Sequence, residues 1–385
     1  MLNKRQACRI ELWSGGLIQQ KNVKKNTKGE RLLMLEIIKS TLTDQAILGA
    51  IFSSIAIIAL GFYLRKKEII NSLASKVLTK VVLSVSLPAL AFTSFMSNID
   101  GNQLKQGLNI LIWGFVIYII LIPISKIIYI KVKGDKQDVY RVLTIFGSTT
   151  FFGTPIVAAV YGAVGTMYAN IFNIAYRVFL YSYAFIKMSG AKMDKESLKK
   201  NMKEVFLNPI ILATLIGLLI WLFQDSMPQV NVVVKGKVQH FGFLRIDQTL
   251  PWLYKPLTYL KALASPLAWL SIGATLAEVP FKKAVVQKDA WGYSLIKVIL
   301  IPVINIVLLL ILNQTGILPV AFEAMATTVI MMATPTATVA AAYAISYDRE
   351  ALFTSNCSLL STVVAVIAMP IWIVILQIIS NMHIF

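Results

Sequence analysis

Arg177 stands midway along NIFNIAYRVFLYSYAF, an apolar stretch that offers it no acidic partner. Burying a guanidinium in such a segment costs several kcal/mol, so an ionisable residue there marks a functional site by default. Its planar fork suits a carboxylate, because it can hold both oxygens at once. Asn173 lies one turn earlier on the same helical face, and Asn170 two turns earlier. A second polar set surrounds two Thr-Pro pairs. Thr154-Pro155 in GTPIVAAVYG follows Ser148-Thr149-Thr150, and Thr334-Pro335 in ATPTATVAAAYA precedes Thr336 and Thr338. Proline inside a helix removes a hydrogen bond and clashes with the preceding turn. Both helices are therefore expected to break at their prolines. Half-helix N-termini there would suit an anion, while freed carbonyls and hydroxyls would suit a small cation or further substrate contacts. A blander reading has the prolines only kink packed helices and Arg177 tie down loose carbonyls.

The elements that must position these residues are membrane helices. Of 385 residues, 57% are hydrophobic and 14% charged, and mean hydropathy is +0.71. Soluble domains carry about a quarter charged residues. Long apolar runs recur from about residue 45 to the C-terminus at the roughly 20-residue length that spans a bilayer. Ten spans are expected, near 45–64, 76–97, 106–130, 139–162, 165–188, 206–223, 256–277, 288–312, 317–346 and 351–379. Residues 1–33 are basic and without a sustained apolar run; they read as a disordered tail or a start-site extension before Met34. The domains are then 34–205 and 206–385, with a long outer loop at 224–255 in which VNVVVKGKVQHFGF reads as a small hairpin.

Connections alternate in charge. Arg65, Lys66, Lys67, Lys131, Lys133, Lys136, Lys192, Lys199, Lys282, Lys283 and Arg349 fall on one side; Lys105, Lys235, Lys237, Arg245 and Lys255 fall on the other. The positive-inside rule makes the first side cytoplasmic and both ends of the folded part extracytoplasmic, in the cell membrane. The net charge of +19 is thereby a matter of loops facing the cytoplasm, not of nucleic acid.

Three proline pairs test for duplication. Pro88 and Pro266 are 178 apart, Pro123 and Pro302 are 179 apart, and Pro155 and Pro335 are 180 apart. Halves of five spans each must lie inverted, a plan shared by many secondary transporters with paired broken helices. The same spacing matches Arg177 to Asn356. The expected fold class is an all-α polytopic membrane protein, with two inverted five-helix repeats and broken crossover helices 4 and 9.

At these residues the sequence resembles the auxin efflux carrier family, whose bacterial members are described as malate or malonate permeases. The likeness runs through LGFYLRKKEIINSLASKVLTKVVLSVSLPALAFTSF, IFGSTTFFGTPIV, NPIILATLIGLLIWL, SPLAWLSIGATLAEV and MMATPTATVAAAYAISYD, over roughly residues 45–379. It implies a scaffold of spans 1, 2, 6 and 7 and a transport part of spans 3–5 and 8–10, with substrate held at the crossover of spans 4 and 9. Two departures stand out. Ser148-Thr149-Thr150 replaces an Asn-Thr-Gly-like stretch, and Val339 or a neighbour stands where an Asn often follows the second proline.

The expected function is alternating-access transport of a small organic anion such as malate or malonate. The expected binding residues are Arg177, Asn173, Ser148, Thr149, Thr150, Thr334, Thr336, Thr338 and Asn356. The alternatives are a carrier or uniporter of another weak acid or amino acid, or an anion channel. A coupling ion (H+ or Na+) and a homodimer are left open. No enzyme is expected: His240 and His383 have no ligand partners at suitable spacing, no GxSxG occurs in the spans, and no cofactor or metal is implied. Cys357 reads as a small packing residue, and Lys80 and Lys126 as anchors near cytoplasmic span ends.

Overall fold

A computed structural model describes residues 45–98, 100–190, 207–234, 236–278 and 285–382. The 1–33 tail, nearly all of the 189–205 connection, Lys235, Lys282 and Lys283 lie outside them. The described chain is helical apart from one hairpin. Its helices are α1 (Gln45–Lys66), α2 (Ser72–Ser94), α3 (Gly101–Ile128), α4 (Asp135–Ile145), α5 (Thr149–Ser189) and α6 (Pro209–Phe223), followed by α7 (Pro251–Glu278), α8 (Lys288–Gln314), α9 (Phe322–Met332), α10 (Thr338–Ser346) and α11 (Ala351–Asn381). Six of these, α2, α3, α5, α7, α8 and α11, are long and apolar enough to cross a membrane. Outward-facing Phe52, Ile112, Ile119, Ile299, Val307, Ile311, Ile367 and Ile371 leave the helix bundle an apolar exterior. This is a polytopic helical membrane protein.

Local chemistry sets the helix starts. The Asn71 side chain accepts from the Ala74 N–H at 2.7 Å, Asp100 from Asn102 at 3.0 Å, and Asn208 from Ile210 at 3.0 Å with Pro209 at the first helical position. Three of the matched prolines share one accommodation. A widened π turn ends two residues before each: Val82–Ser86 before Pro88, Thr149–Gly153 before Pro155, and Ile296–Leu300 before Pro302. A looser turn relieves the clash between the proline ring and the preceding carbonyls. Within α5 the chain turns at Gly162, whose φ of +59° only glycine adopts freely. That turn falls at the expected end of the span 139–162, just before the span 165–188.

α1 lies against α7 with almost no side chain between them. A Cβ on Gly61 would run into the Leu270 carbonyl, and one on Gly273 into the Ile58 carbonyl. Such backbone approach is how membrane helices gain contact without a hydrophobic driving force. α2 packs on α6 and on the start of α7, while α3, α5, α8, α9 and α11 pack among themselves. A buried chain of bonds ties three of this second set: Trp113 Nε1 donates to Asn305 Oδ1 at 2.8 Å, and Asn305 Nδ2 donates to Thr328 Oγ1 at 2.9 Å.

The expected hairpin is present, Gln229–Val234 pairing antiparallel with Lys237–Gly242 around a two-residue turn. Arg245 anchors it. Its guanidinium donates to both Asp247 oxygens at 2.8 and 2.9 Å, to Gln224 Oε1 at 2.6 Å and to Asn98 Oδ1 at 3.1 Å.

Candidate functional site

Two helices are interrupted and the interruptions meet. α4 ends at Ile145 and α5 begins at Thr149; α9 ends at Met332 and α10 begins at Thr338. The unwound residues pair as a short antiparallel bridge between Gly147 and Thr336. The Ser148 N–H donates to the Pro335 carbonyl at 2.7 Å, and the Ala337 N–H to the Phe146 carbonyl at 3.0 Å. Each break thus satisfies backbone groups that the other would leave bare, the condition for irregular backbone at membrane depth. Gly147 is required here, since a Cβ would strike the Thr334 hydroxyl.

The expected position of the first break needs correction. Pro335 lies in an interruption, but Pro155 lies eight residues beyond Gly147, at the start of the α-helical part of α5. Early in a helix a proline's missing N–H does little harm, and the Thr149–Gly153 π turn absorbs its ring. The 180-residue spacing of the prolines therefore does not superimpose the two breaks, whose bridged residues are 189 apart. The Thr154 hydroxyl donates to the Thr149 carbonyl at 3.2 Å, and Pro155 offers its carbonyl to the Ser265 hydroxyl at 2.9 Å.

Beside the bridge lies a cavity of about 670 Å³. Arg177, Ser148, Thr150, Thr336 and Thr338 all line it, with Pro335 and Val339. α2 and α7 close it with Thr79, Leu83, Ile272 and Thr275, α6 with Asn208 at its cap, and α11 with Ser355, Ser358 and Thr362. Arg177 is only 5% exposed and belongs to no ion pair among the described residues; its Nη2 donates to Thr150 Oγ1 at 3.3 Å. Neither α5 nor α10 has a side-chain cap, and the first-turn residues Thr150, Phe151, Thr338 and Val339 face the cavity. Two helix N-termini without side-chain caps and a guanidinium without an ion pair among the described residues thus bring positive charge to the cavity wall.

The other expected residues lie off the cavity wall. Thr149 and Thr334 are buried, the Thr334 hydroxyl donating to the Met331 carbonyl at 2.8 Å. Asn356 is buried, and Asn173 is buried with neither side-chain polar atom hydrogen-bonded among the described residues. Asn170 reaches Ser94 Oγ at 3.5 Å instead. Thr336 carries a structural duty besides its place in the lining. Its hydroxyl meets Tyr293 Oη at 2.7 Å and Ser361 Oγ at 3.0 Å, and Tyr293 donates to the Leu143 carbonyl at 2.8 Å. No periodicity announced Tyr293 or Ser361. One further residue had a visible signal: Lys297, in LIKVILIP, is an intramembrane cation as conspicuous as Arg177.

Residues 46–373 match the family model described as membrane transport protein. The chain belongs to that family, the auxin efflux carriers. Its similarity extends to an uncharacterised transporter of Methanocaldococcus jannaschii, 21% identical over 68% of this chain and 78% of the relative. It extends likewise to an uncharacterised transporter of Methanothermobacter thermautotrophicus, 23% identical over 85% of this chain and 97% of the relative. The family is one of transporters, not enzymes.

Proposed function

We propose that this member of the auxin efflux carrier family is a secondary transporter of a small organic anion, a malate- or malonate-like carboxylate, working by alternating access in the cell membrane. The observation that carries the reading is Arg177: a buried guanidinium without an acidic partner among the described residues, on the wall of a hydroxyl-lined cavity where two interrupted helices meet. An uncompensated buried cation is stabilised by an anion that brings its own charge, and a carboxylate fits the fork. Thr150, Ser148 and Thr338 supply further hydrogen bonds.

The cavity's position suits alternation. It lies between α2, α6 and α7 on one side and α5, α10 and α11 on the other, which matches a fixed part of spans 1, 2, 6 and 7 and a moving part of the rest. Reading α4–α5 up to Gly162 as one broken span and α9–α10 as another yields ten spans in two inverted sets of five. Ion pairs support that topology. Arg65–Glu278, Lys136–Asp289, Lys187–Asp138 and Arg349–Asp135 join only span ends assigned to the cytoplasm. Gln106 and Asn109, reaching the Pro319 carbonyl, join only ends assigned to the outside.

The test is uptake of labelled malate, malonate and lactate into proteoliposomes. Saturable uptake of one of them that drops in Arg177→Gln supports the reading. A folded Arg177→Gln that transports like the parent leaves Arg177 as a clamp and removes its main support.

A further inference from the structure

Lys297 lies in the first half of α8, in the π turn Ile296–Leu300. Its side chain is fully buried and its Nζ has no hydrogen-bond partner and no ion pair among the described residues. It is not part of the cavity wall. It reaches the crossover from elsewhere: a Cβ on Gly147 would lie 3.0 Å from Nζ and would also meet the Thr334 hydroxyl. Gly147 and Thr334 each stand two residues beyond a helix end, Ile145 of α4 and Met332 of α9. Two helix C-termini therefore converge beside this ammonium, and C-termini attract positive charge. In transporters with interrupted helices, half-helix C-termini and unwound carbonyls are where a coupling Na+ is held.

We propose that Lys297 is the resident cation of the crossover: its ammonium supplies the positive charge that the two helix C-termini would otherwise take from a bound metal cation, so that the anion is carried without one. A metal ion must dissociate to be exchanged; a tethered ammonium stays through the whole cycle. Its charge is answered by the fold, so Arg177 is left as the cation that faces the cavity. The uptake measurements below rest on the anion reading above; the resident cation does not. Lys297 acts here as a positioning residue, holding the crossover in charge balance from behind the cavity.

The experiment uses the full chain, purified, and follows melting in NaCl, KCl and choline chloride at equal ionic strength. The parent is expected to melt alike in all three. Lys297→Met removes the charge and keeps the volume, leaving the two helix C-termini without their cation. That variant should melt below the parent in choline chloride and be raised by NaCl, which supplies the missing cation. Its uptake of labelled malate in choline chloride should fall at least about tenfold. Lys297→Arg keeps the charge and should retain part of the uptake. A cation requirement that appears only when the ammonium is removed is the signature of a charge kept to balance the crossover. A rise in parent melting specific to Na+ overturns the proposal, as does uptake that ceases when choline replaces Na+ at constant pH and potential. So does a Lys297→Met protein that melts alike in the three salts or transports like the parent. If the parent moves no carboxylate at all, the anion reading fails, and the salt comparison with the melting of Lys297→Met still decides the role of Lys297.

Discussion

Arg177 and Thr336 both line the cavity, yet their substitutions should part in their effects. Arg177 spends one weak contact on Thr150 at 3.3 Å, so its charge is available to a ligand. Losing one partner of a buried charged pair costs about 2–5 kcal/mol, so Arg177→Gln should reduce anion uptake at least about tenfold. Arg177→Lys keeps the charge without the fork and should fall between. Thr336 holds Tyr293 and Ser361. Thr336→Val would leave those buried hydroxyls short of a partner, at about 1–3 kcal/mol. It should therefore appear as a lower melting temperature as well as lost transport. Thr338 faces the cavity at the start of α10. Thr338→Val should weaken the anion by about 0.5–1.5 kcal/mol, a few-fold in affinity, with melting unchanged. Isothermal binding and thermal melting of the three variants separate these outcomes.

At the scale of elements, the crossover and the α1–α7 contact depend on glycine for different reasons. Gly147 lets one unwound strand lie against Thr334. Gly61 and Gly273 let two helices touch backbone to backbone. A valine at Gly273 would have to displace the Ile58 carbonyl, which no rotamer change can do. Overpacking costs typically 1–3 kcal/mol and more where backbone must move. Gly273→Val is expected to melt several degrees below the parent or to fail to assemble. Gly292, whose added Cβ would meet nothing within 4 Å, is the control, and Gly292→Ala should melt like the parent. A Gly273→Val that melts with the control would mean that the two helices are not held at this distance.

For the whole molecule, orientation is the sharpest test. In a background of Cys8→Ser and Cys357→Ser, an impermeant maleimide added outside intact cells should label His240→Cys on the hairpin. It should not label Lys133→Cys or Asp348→Cys, which lie with the ion-paired ends. The reverse pattern would turn the molecule over. Arg245 is the corresponding stability test. Its removal strands Asp247 and Gln224 at a buried junction, so Arg245→Ala should destabilise the outer loop by about 3–5 kcal/mol. Loss of hairpin protection from a protease added outside is the readout.

The sequence by itself determined the class, the family, the helical runs, the hairpin and the two Thr-Pro regions. Each of these is written in local composition: apolar length, turn chemistry at Gly236, and proline among threonines. It also singled out Arg177, because a charge in an apolar run is conspicuous without neighbours. The tertiary structure decided what depends on which distant backbone comes near. It moved the first break from Pro155 back to Gly147, because the partner that satisfies freed amides and carbonyls is 189 residues away. It enclosed Ser148, Thr150, Thr336 and Thr338 in one cavity with Arg177, while setting Thr149, Thr334, Asn173 and Asn356 into the packing around it. A helical face tells which residues point together along one rod. Which of them meet a void, and which meet another helix, is fixed only when the rods cross.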